Sequence, residues 1–208
     1  MDHRSWLLAL VMLGTSLLGI AGCVGSQPSR FYVLTDLAGV ESPHQGIPAG
    51  QGPAVGVGPI TLPKYLDRPQ IATRASRYEL AYDEFERWAE PLDTNVTRAL
   101  VEHLARLTPT DRIAVFPWPR GTPIDYQVTV EVAHFFAQRG GTAALIAHWS
   151  IFREGAAEAL VSRTSRFSAP AGGPQSEAMV AAMSQTVAEL SGEIATAIRA
   201  LAARASAR

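Results

Sequence analysis

Tyr126-Gln127-Val128-Thr129-Val130-Glu131-Val132-Ala133-His134-Phe135-Phe136-Ala137-Gln138, then Arg139-Gly140-Gly141, then Thr142-Ala143-Ala144-Leu145-Ile146-Ala147-His148-Trp149-Ser150-Ile151-Phe152-Arg153. Both flanks are rich in β-branched and aromatic residues, with turn residues between them, which predicts a β-hairpin. Gly140-Gly141 as a two-residue turn accommodates positive φ at both positions. That turn sets a register pairing Phe136 with Leu145, Val132 with Trp149 and Val130 with Ile151 on one face. The reverse face sets Glu131 opposite Ser150 and Thr129 opposite Phe152. A slip of one residue would oppose apolar side chains to polar ones, so the register is well specified. His134 then falls on the apolar face and His148 on the other, an arrangement in which they do not easily share a metal or a catalytic site.

Further strands are expected at Phe31 to Leu34, Ala54 to Gly58, Gln70 to Ala75, Arg77 to Tyr82 and Arg112 to Pro117. A last strand runs from Ala159 to Ala169, with Val161, Arg163, Ser165 and Phe167 on alternate sides. Leu92 to Leu107 reads as a helix capped by Asp93 and stopped by Thr108-Pro109. Its buried stripe is Val96, Leu100, Leu104 and Leu107, with His103 partly exposed beside it. Ser176 caps a second helix reaching about Leu201. Val180, Met183, Val187, Leu190, Ile194, Ala197 and Leu201 form its apolar seam, which packs across the sheet or lends its far end to a neighbouring subunit. The fold class is therefore α+β, a mostly antiparallel sheet with two packed helices.

The loops carry little recognisable chemistry. Asp36 to Pro53, rich in Gly and Pro, is a loop. Gly56-Val57-Gly58 lacks the third glycine and the following helix of a dinucleotide site, and Pro59 and Pro63 interrupt there. The acidic run Asp83 to Pro91 reads as a solvated face rather than an acid–base pair. In Leu62 to Ile71, Pro63 and Pro69 fix two backbone angles and bias the residues before them to extended form. Asp67 and Arg68 between them serve either a rigid turn or a docking role. No pattern of ligands or nucleophiles supports a metal, a cofactor or a catalytic centre.

The beginning of the chain sets the location. Arg4 precedes an apolar run from Trp6 to Leu18, and Ile20-Ala21-Gly22-Cys23 closes it with small residues and the sole cysteine. The run is shorter than the roughly 20 apolar residues of a membrane span, and the layout is that of a secretory signal. Its end resembles a lipobox, so residues 1–22 are expected to be a lipoprotein signal peptide. Cys23 is then the lipidation site, carrying a diacylglyceryl group and an acyl chain such as palmitate. Residues 23–30 form a lipidated tether. Val24 rather than Asp at the second mature position favours, by resemblance to other lipoproteins, the outer membrane.

Of 208 residues, 186 remain after such cleavage, enough for one domain with a real core, residues 31–208. The formal net charge is −1, which gives no basic face for nucleic acid. With Cys23 lipidated, no thiol is left for a disulfide.

Together with the lipobox, three stretches resemble the PqiC-type auxiliary lipoproteins of ABC-type, MCE-linked intermembrane transport systems. They are Phe31-Tyr32-Val33-Leu34, Leu62-Pro63-Lys64-Tyr65-Leu66-Asp67-Arg68-Pro69-Gln70-Ile71 and Arg87-Trp88-Ala89-Glu90-Pro91-Leu92, in the family's order. The loop at Asp36 to Pro53 is expanded relative to that pattern. The resemblance implies a non-enzymatic periplasmic subunit on the outer membrane, whose partners are an MCE-domain protein and an inner-membrane permease. It further implies lipid transport between membranes, a role in envelope integrity, and assembly as a homo-oligomer ring. Tyr65, Leu66, Asp67, Arg68, Pro69, Arg87, Trp88, Glu90 and Pro91 are the candidate contacts for a partner or another subunit, with a purely structural role as the alternative. Two other functions compete: a periplasmic lipoprotein hydrolase built from Ser150, Ser165, His134 and His148, and a structural envelope lipoprotein without a transporter partner.

Overall fold

The computed structural model describes residues 27–35 and 52–207; the expected signal peptide, the expected lipidation site Cys23 and nearly all of the expected Asp36 to Pro53 loop lie outside them. Eight strands form one sheet: β1 (Arg30–Tyr32), β2 (Val55–Thr61), β3 (Gln70–Arg74), β4 (Leu80–Trp88), β5 (Ile113–Val115), β6 (Tyr126–Ala137), β7 (Thr142–Arg153) and β8 (Ala159–Pro170). Two helices, α1 (Leu92–Leu107) and α2 (Ser176–Ser206), complete the α+β fold. The long ladders β6–β7, β7–β8 and β3–β4 are antiparallel. The pairings β1–β4, β2–β5, β2–β6 and β3–β6 are parallel.

The hairpin β6–β7 is the spine, but its register differs from the sequence expectation by two separate steps. Gln138 N donates to Thr142 O at 3.0 Å and Gly141 N to Gln138 O at 3.0 Å, so the loop is the three residues Arg139, Gly140 and Gly141. Gly140 alone of these takes positive φ, at 64°. This moves the pairing by one, to Phe135↔Leu145 and Phe136↔Ala144. A bulge between Val132 and His134 then moves it by one more, to Val132↔Ala147 and Val130↔Trp149. Two single steps restore the parity, so Val128, Val130 and Val132 still face Ile151, Trp149 and Ala147 in the core. Between bulge and turn the parity is reversed: Phe135 is buried, and His134 and Phe136 turn to the outer face. His134 and His148 therefore share the outer face, contrary to the expected opposite placement.

One edge of β6 is shared end to end. β2 pairs with its first half, Val55↔Tyr126 through Thr61↔Glu131, and β3 meets its far end at Thr73↔Ala137. The sheet forks there, with β5 beyond β2 and with β4 and then β1 beyond β3. β2 continues past Pro59, contrary to the expected interruption, because a bulge between Val57 and Ile60 gives a residue without an N–H a place in the ladder. The Gln127 side-chain amide donates to the Gly58 carbonyl at 2.9 Å. Gly56 is required by contact: a Cβ there would lie 2.7 Å from the Trp118 ring.

The helices cover the inner face. α1 has the expected bounds, but Pro91 rather than Asp93 is its cap, and Asp93 Oδ1 accepts from Thr94 N at 2.7 Å within the first turn. His103 is buried, not partly exposed, because its side of α1 packs on α2, with Nδ1 3.0 Å from Ser191 Oγ. That hydroxyl donates to Val187 O at 2.7 Å, which leaves His103 Nδ1 as the donor in the pair. α2 likewise has Gln175 rather than Ser176 as its cap, without a side-chain bond. Val180, Met183, Val187, Leu190 and Ile194 are buried as expected, but beyond them the buried residues are Ala195 and Ile198; Ala197 and Leu201 are only partly covered. A straight helix turns every 3.6 residues, so a seam spaced at 3.5 drifts off the contact line. Val161, Arg163, Ser165 and Phe167 share one face of β8, since a strand alternates with period two.

Candidate functional site

The two segments singled out in the sequence meet in space. Pro63 leads into a single 3₁₀ turn, Lys64–Leu66, in which Leu66 N donates to Pro63 O at 2.9 Å. Leu66 is buried, and Asp67, Arg68 and Pro69 are exposed. The Pro69 carbonyl then accepts from Trp88 N at 2.7 Å, and Gln70 pairs with Arg87. The excursion at the fork thus leans on the end of β4. Arg68 lies 4.2 Å above the Tyr82 ring, while the Tyr82 hydroxyl donates to Tyr65 O at 3.2 Å. Burial raises the Tyr65 hydroxyl above its usual pKa, partly countered by the charge of Arg74. Of the nine candidates, Leu66 and Trp88 are core residues; Tyr65, Arg87 and Glu90 are half-buried, and Asp67, Arg68, Pro69 and Pro91 face solvent.

The acidic run, expected as a solvated face, lies inside strand β4 as far as Trp88, with Glu90 just beyond it, and takes part in a clasp around the N-terminal segment. Arg30, Phe31 and Tyr32 of β1 pair with Glu86, Arg87 and Trp88, and Ala89 N donates to Tyr32 O at 2.8 Å. Glu86 is buried and accepts from Arg30 at 2.8 Å. Burial and the adjoining Glu86 both raise the Tyr32 hydroxyl. Leu34 follows at 0% exposure, plugged into the core. Its N–H donates to Asn95 Oδ1 at 2.9 Å, and its carbonyl accepts from Arg98 at 3.0 Å. Thr35 N reaches Ser184 Oγ on α2 at 3.2 Å. Arg98 is held in turn by Glu90 at 3.0 Å and Glu102 at 3.1 Å. Its burial works to lower the guanidinium pKa, but the hydrogen bonds and charges of these carboxylates raise it overall.

Sequence reading missed Asn95, Arg98 and Glu86 as the residues that hold this strap. The available signal was Asn95 itself, an amide next to Val96 on the apolar side of α1. Asn95→Ala orphans the buried Leu34 N–H and is expected to cost about 1–3 kcal/mol. Thermal unfolding tests this; a melting temperature unchanged from the parent would show that the clasp is not needed.

Two other surfaces bear on function. A hollow of about 480 Å³ lies between α1 and the β2–β5 edge, walled by Val57, Ile60, Val101, Val115 and Phe116, with Arg98 and Glu102 at its rim. On the outer face, Ser150 Oγ lies 3.0 Å from Ser162 Oγ, which lies 3.2 Å from His148 Nε2. His148 Nδ1 meets Thr164 Oγ1 at 3.1 Å rather than a carboxylate. Ser165 points to the other face, where the buried Trp149 indole donates to it at 3.0 Å. The hydrolase candidates are thus not brought into one nucleophile–base–acid array. Among the described residues, no group of three or more His, Cys, Asp or Glu could hold a metal ion, and no helix is long and apolar enough to cross a membrane.

Comparison with known proteins gives a family match. The model for the ABC-type transport auxiliary lipoprotein component matches residues 32–195. Among solved structures, a crystal structure of an uncharacterized protein superposes with a TM-score of 0.66 at 20% identity, covering 83% of this chain and 99% of that one. Protein XCC0632 from Xanthomonas campestris, of family DUF330, gives 0.64 at 17% identity, covering 80% and 93%. These likenesses extend to the fold. A search of curated proteins finds no match.

Proposed function

Because the chain belongs to the family of ABC-type transport auxiliary lipoprotein components, we propose that it is the outer-membrane-anchored periplasmic docking subunit of an MCE-linked intermembrane lipid transport system. Residues 31–208 act as one periplasmic domain on a lipid at Cys23, between an MCE-domain protein and an inner-membrane permease, with several copies assembling in a ring. The observation that carries this reading is the clasp. A chain tethered by lipid transmits position only if the tether joins a rigid body, and here the residues that follow the tether are bound to β4, α1 and α2. Confinement to one membrane face then raises the effective concentration of the domain for a partner that reaches that face.

The exposed Asp67, Arg68, Pro69 and Pro91, with the half-buried Tyr65, Arg87 and Glu90, are the contact residues of this proposal; Leu66 and Trp88 hold them in place from beneath. Envelope integrity follows as the physiological role, because lipid moved between membranes maintains both. Crosslinking in native envelopes followed by purification of this chain tests the reading. Recovery of an MCE-domain protein and a permease, lost on Arg68→Glu with Arg87→Glu, is the expected result. Recovery of neither from the unaltered chain would overturn it and favour a structural envelope lipoprotein.

A further inference from the structure

We propose that the β3–β4 turn end of the sheet is a second membrane contact, which lays Arg77, Tyr78 and Arg74 against phosphate-bearing lipid headgroups of the bilayer that holds Cys23. This rests on the lipid anchor of the proposed function and adds a surface to it.

β1 runs parallel to β4, with Arg30 level with Glu86. The chain preceding Arg30 therefore leaves the sheet heading toward Leu80, the start of β4, and toward the Ala75 to Glu79 turn beyond it. Leu80 lies six residues along β4 from Glu86, about 20 Å at strand spacing. The seven steps from Cys23 to Arg30 span at most about 25 Å. A bilayer gripping Cys23 is thus within reach of the plane of that turn. The β7–β8 turn, by contrast, lies at the opposite end, because β3 runs parallel to β6 and both end beside the Arg139 to Gly141 loop.

The turn itself carries aromatic and cationic groups. Tyr78 is 90% exposed, a large aromatic held in water by a folded turn. Arg77 lies 5.5 Å over its ring, and Arg74 lies 3.9 Å over the ring of Phe136. Neither guanidinium has a carboxylate within ion-pair distance among the described residues, whereas Arg87, Arg98, Arg139 and Arg163 each do. Arg74 Nε is buried without a hydrogen-bond partner. Beside them a hollow of about 210 Å³ is lined by Tyr65, Tyr78, His134 and Phe136, with Glu79 as its carboxylate. Arg forks match phosphate oxygens, and Tyr rings settle at the headgroup level of a bilayer. Unneutralised arginines near an anionic surface are attracted to it within a Debye length.

The tether makes a weak contact sufficient, since a lipidated chain meets its own bilayer at high local concentration. Contact at both Cys23 and Tyr78 would fix the tilt of the domain, so the fork at Leu62 to Pro69 is presented in one orientation.

The native lipidated chain in reconstituted vesicles tests this. With Cys23 blocked by lipid, Ala75→Cys provides the single thiol for a fluorophore, and Ala156→Cys provides a matched label in the β7–β8 turn. Nitroxide-headgroup lipid in phosphatidylethanolamine vesicles containing phosphatidylglycerol should quench the label at 75 at least fivefold more than that at 156. The excess should vanish in about 1 M salt, where the Debye length is ~3 Å, and in Arg77→Glu with Tyr78→Ser, a variant confined to the exposed turn. Arg74→Gln should reduce it in part. Equal quenching at 75 and 156, in a chain that floats with the vesicles, overturns the contact. A chain that fails to float overturns the lipid anchor instead. Label at 75 that is dark to lipid yet protected by an added MCE-domain protein would assign the turn to a protein partner and also overturn this proposal.

Discussion

Leu190→Asp is expected to unfold most of the protein at ordinary temperature. Leu190 is 1% exposed at the middle of α2, where that helix covers β6 and β7 and meets α1. Removing a buried leucine side chain costs about 3–5 kcal/mol in lost transfer energy and residual cavity. Aspartate adds an uncompensated carboxylate in the same place, which either stays charged at high cost or takes up a proton. A domain of this size holds only about 5–15 kcal/mol in total. Circular dichroism during heating reads the effect, and a melting curve that superposes on the parent's would show that α2 does not cover the sheet there. Leu190→Met, close in volume, should stay within about 1.5 kcal/mol and separates loss of packing from introduction of charge.

The second large effect concerns location. The mature sequence from Val24, exported behind an ordinary cleavable signal, is expected to appear in the soluble periplasmic fraction; the native chain should pellet with membranes. One myristoyl-length chain gives a membrane partition constant of about 10⁴ M⁻¹, which is reversible, and two or more chains give stable anchoring. The headgroup contact at Tyr78 is too weak to replace them at physiological salt. Mass spectrometry of the native N-terminal peptide should show Cys23 carrying a diacylglyceryl group. A native chain with a bare thiol, or a Val24 chain that pellets as completely as the native one, would remove the anchor.

The hairpin shows how far the residues alone lead. Val128, Val130 and Val132 were legible as core because apolar residues recur at every second position, and two compensating slips of one residue leave that parity intact. Phe135 and Phe136 were not legible. Both are apolar, so the sequence cannot say which faces inward once a bulge is inserted, and His134 changed sides with them. His103 failed for a related reason. Helical spacing sets it beside the stripe of α1, but only the approach of α2 brings Ser191 within 3.0 Å and buries it. At the site, Leu62 to Ile71 and Arg87 to Leu92 stood out by their prolines and charges. Their meeting through Trp88 N and Pro69 O depends on β3 and β4 pairing, a contact across 19 positions.

By itself the sequence determined the α+β class, the bounds of α1 and the hydrophobic stripe of α2 as far as Ile194, because each is written in local spacing and composition. The tertiary structure decided the fork of the sheet, the clasp of Leu34 by Asn95 and Arg98, and the parallel seating of β1 on β4. Those depend on which edges find one another: a strand carries two hydrogen-bonding edges of the same chemistry, and only packing of the whole chain chooses the partner for each.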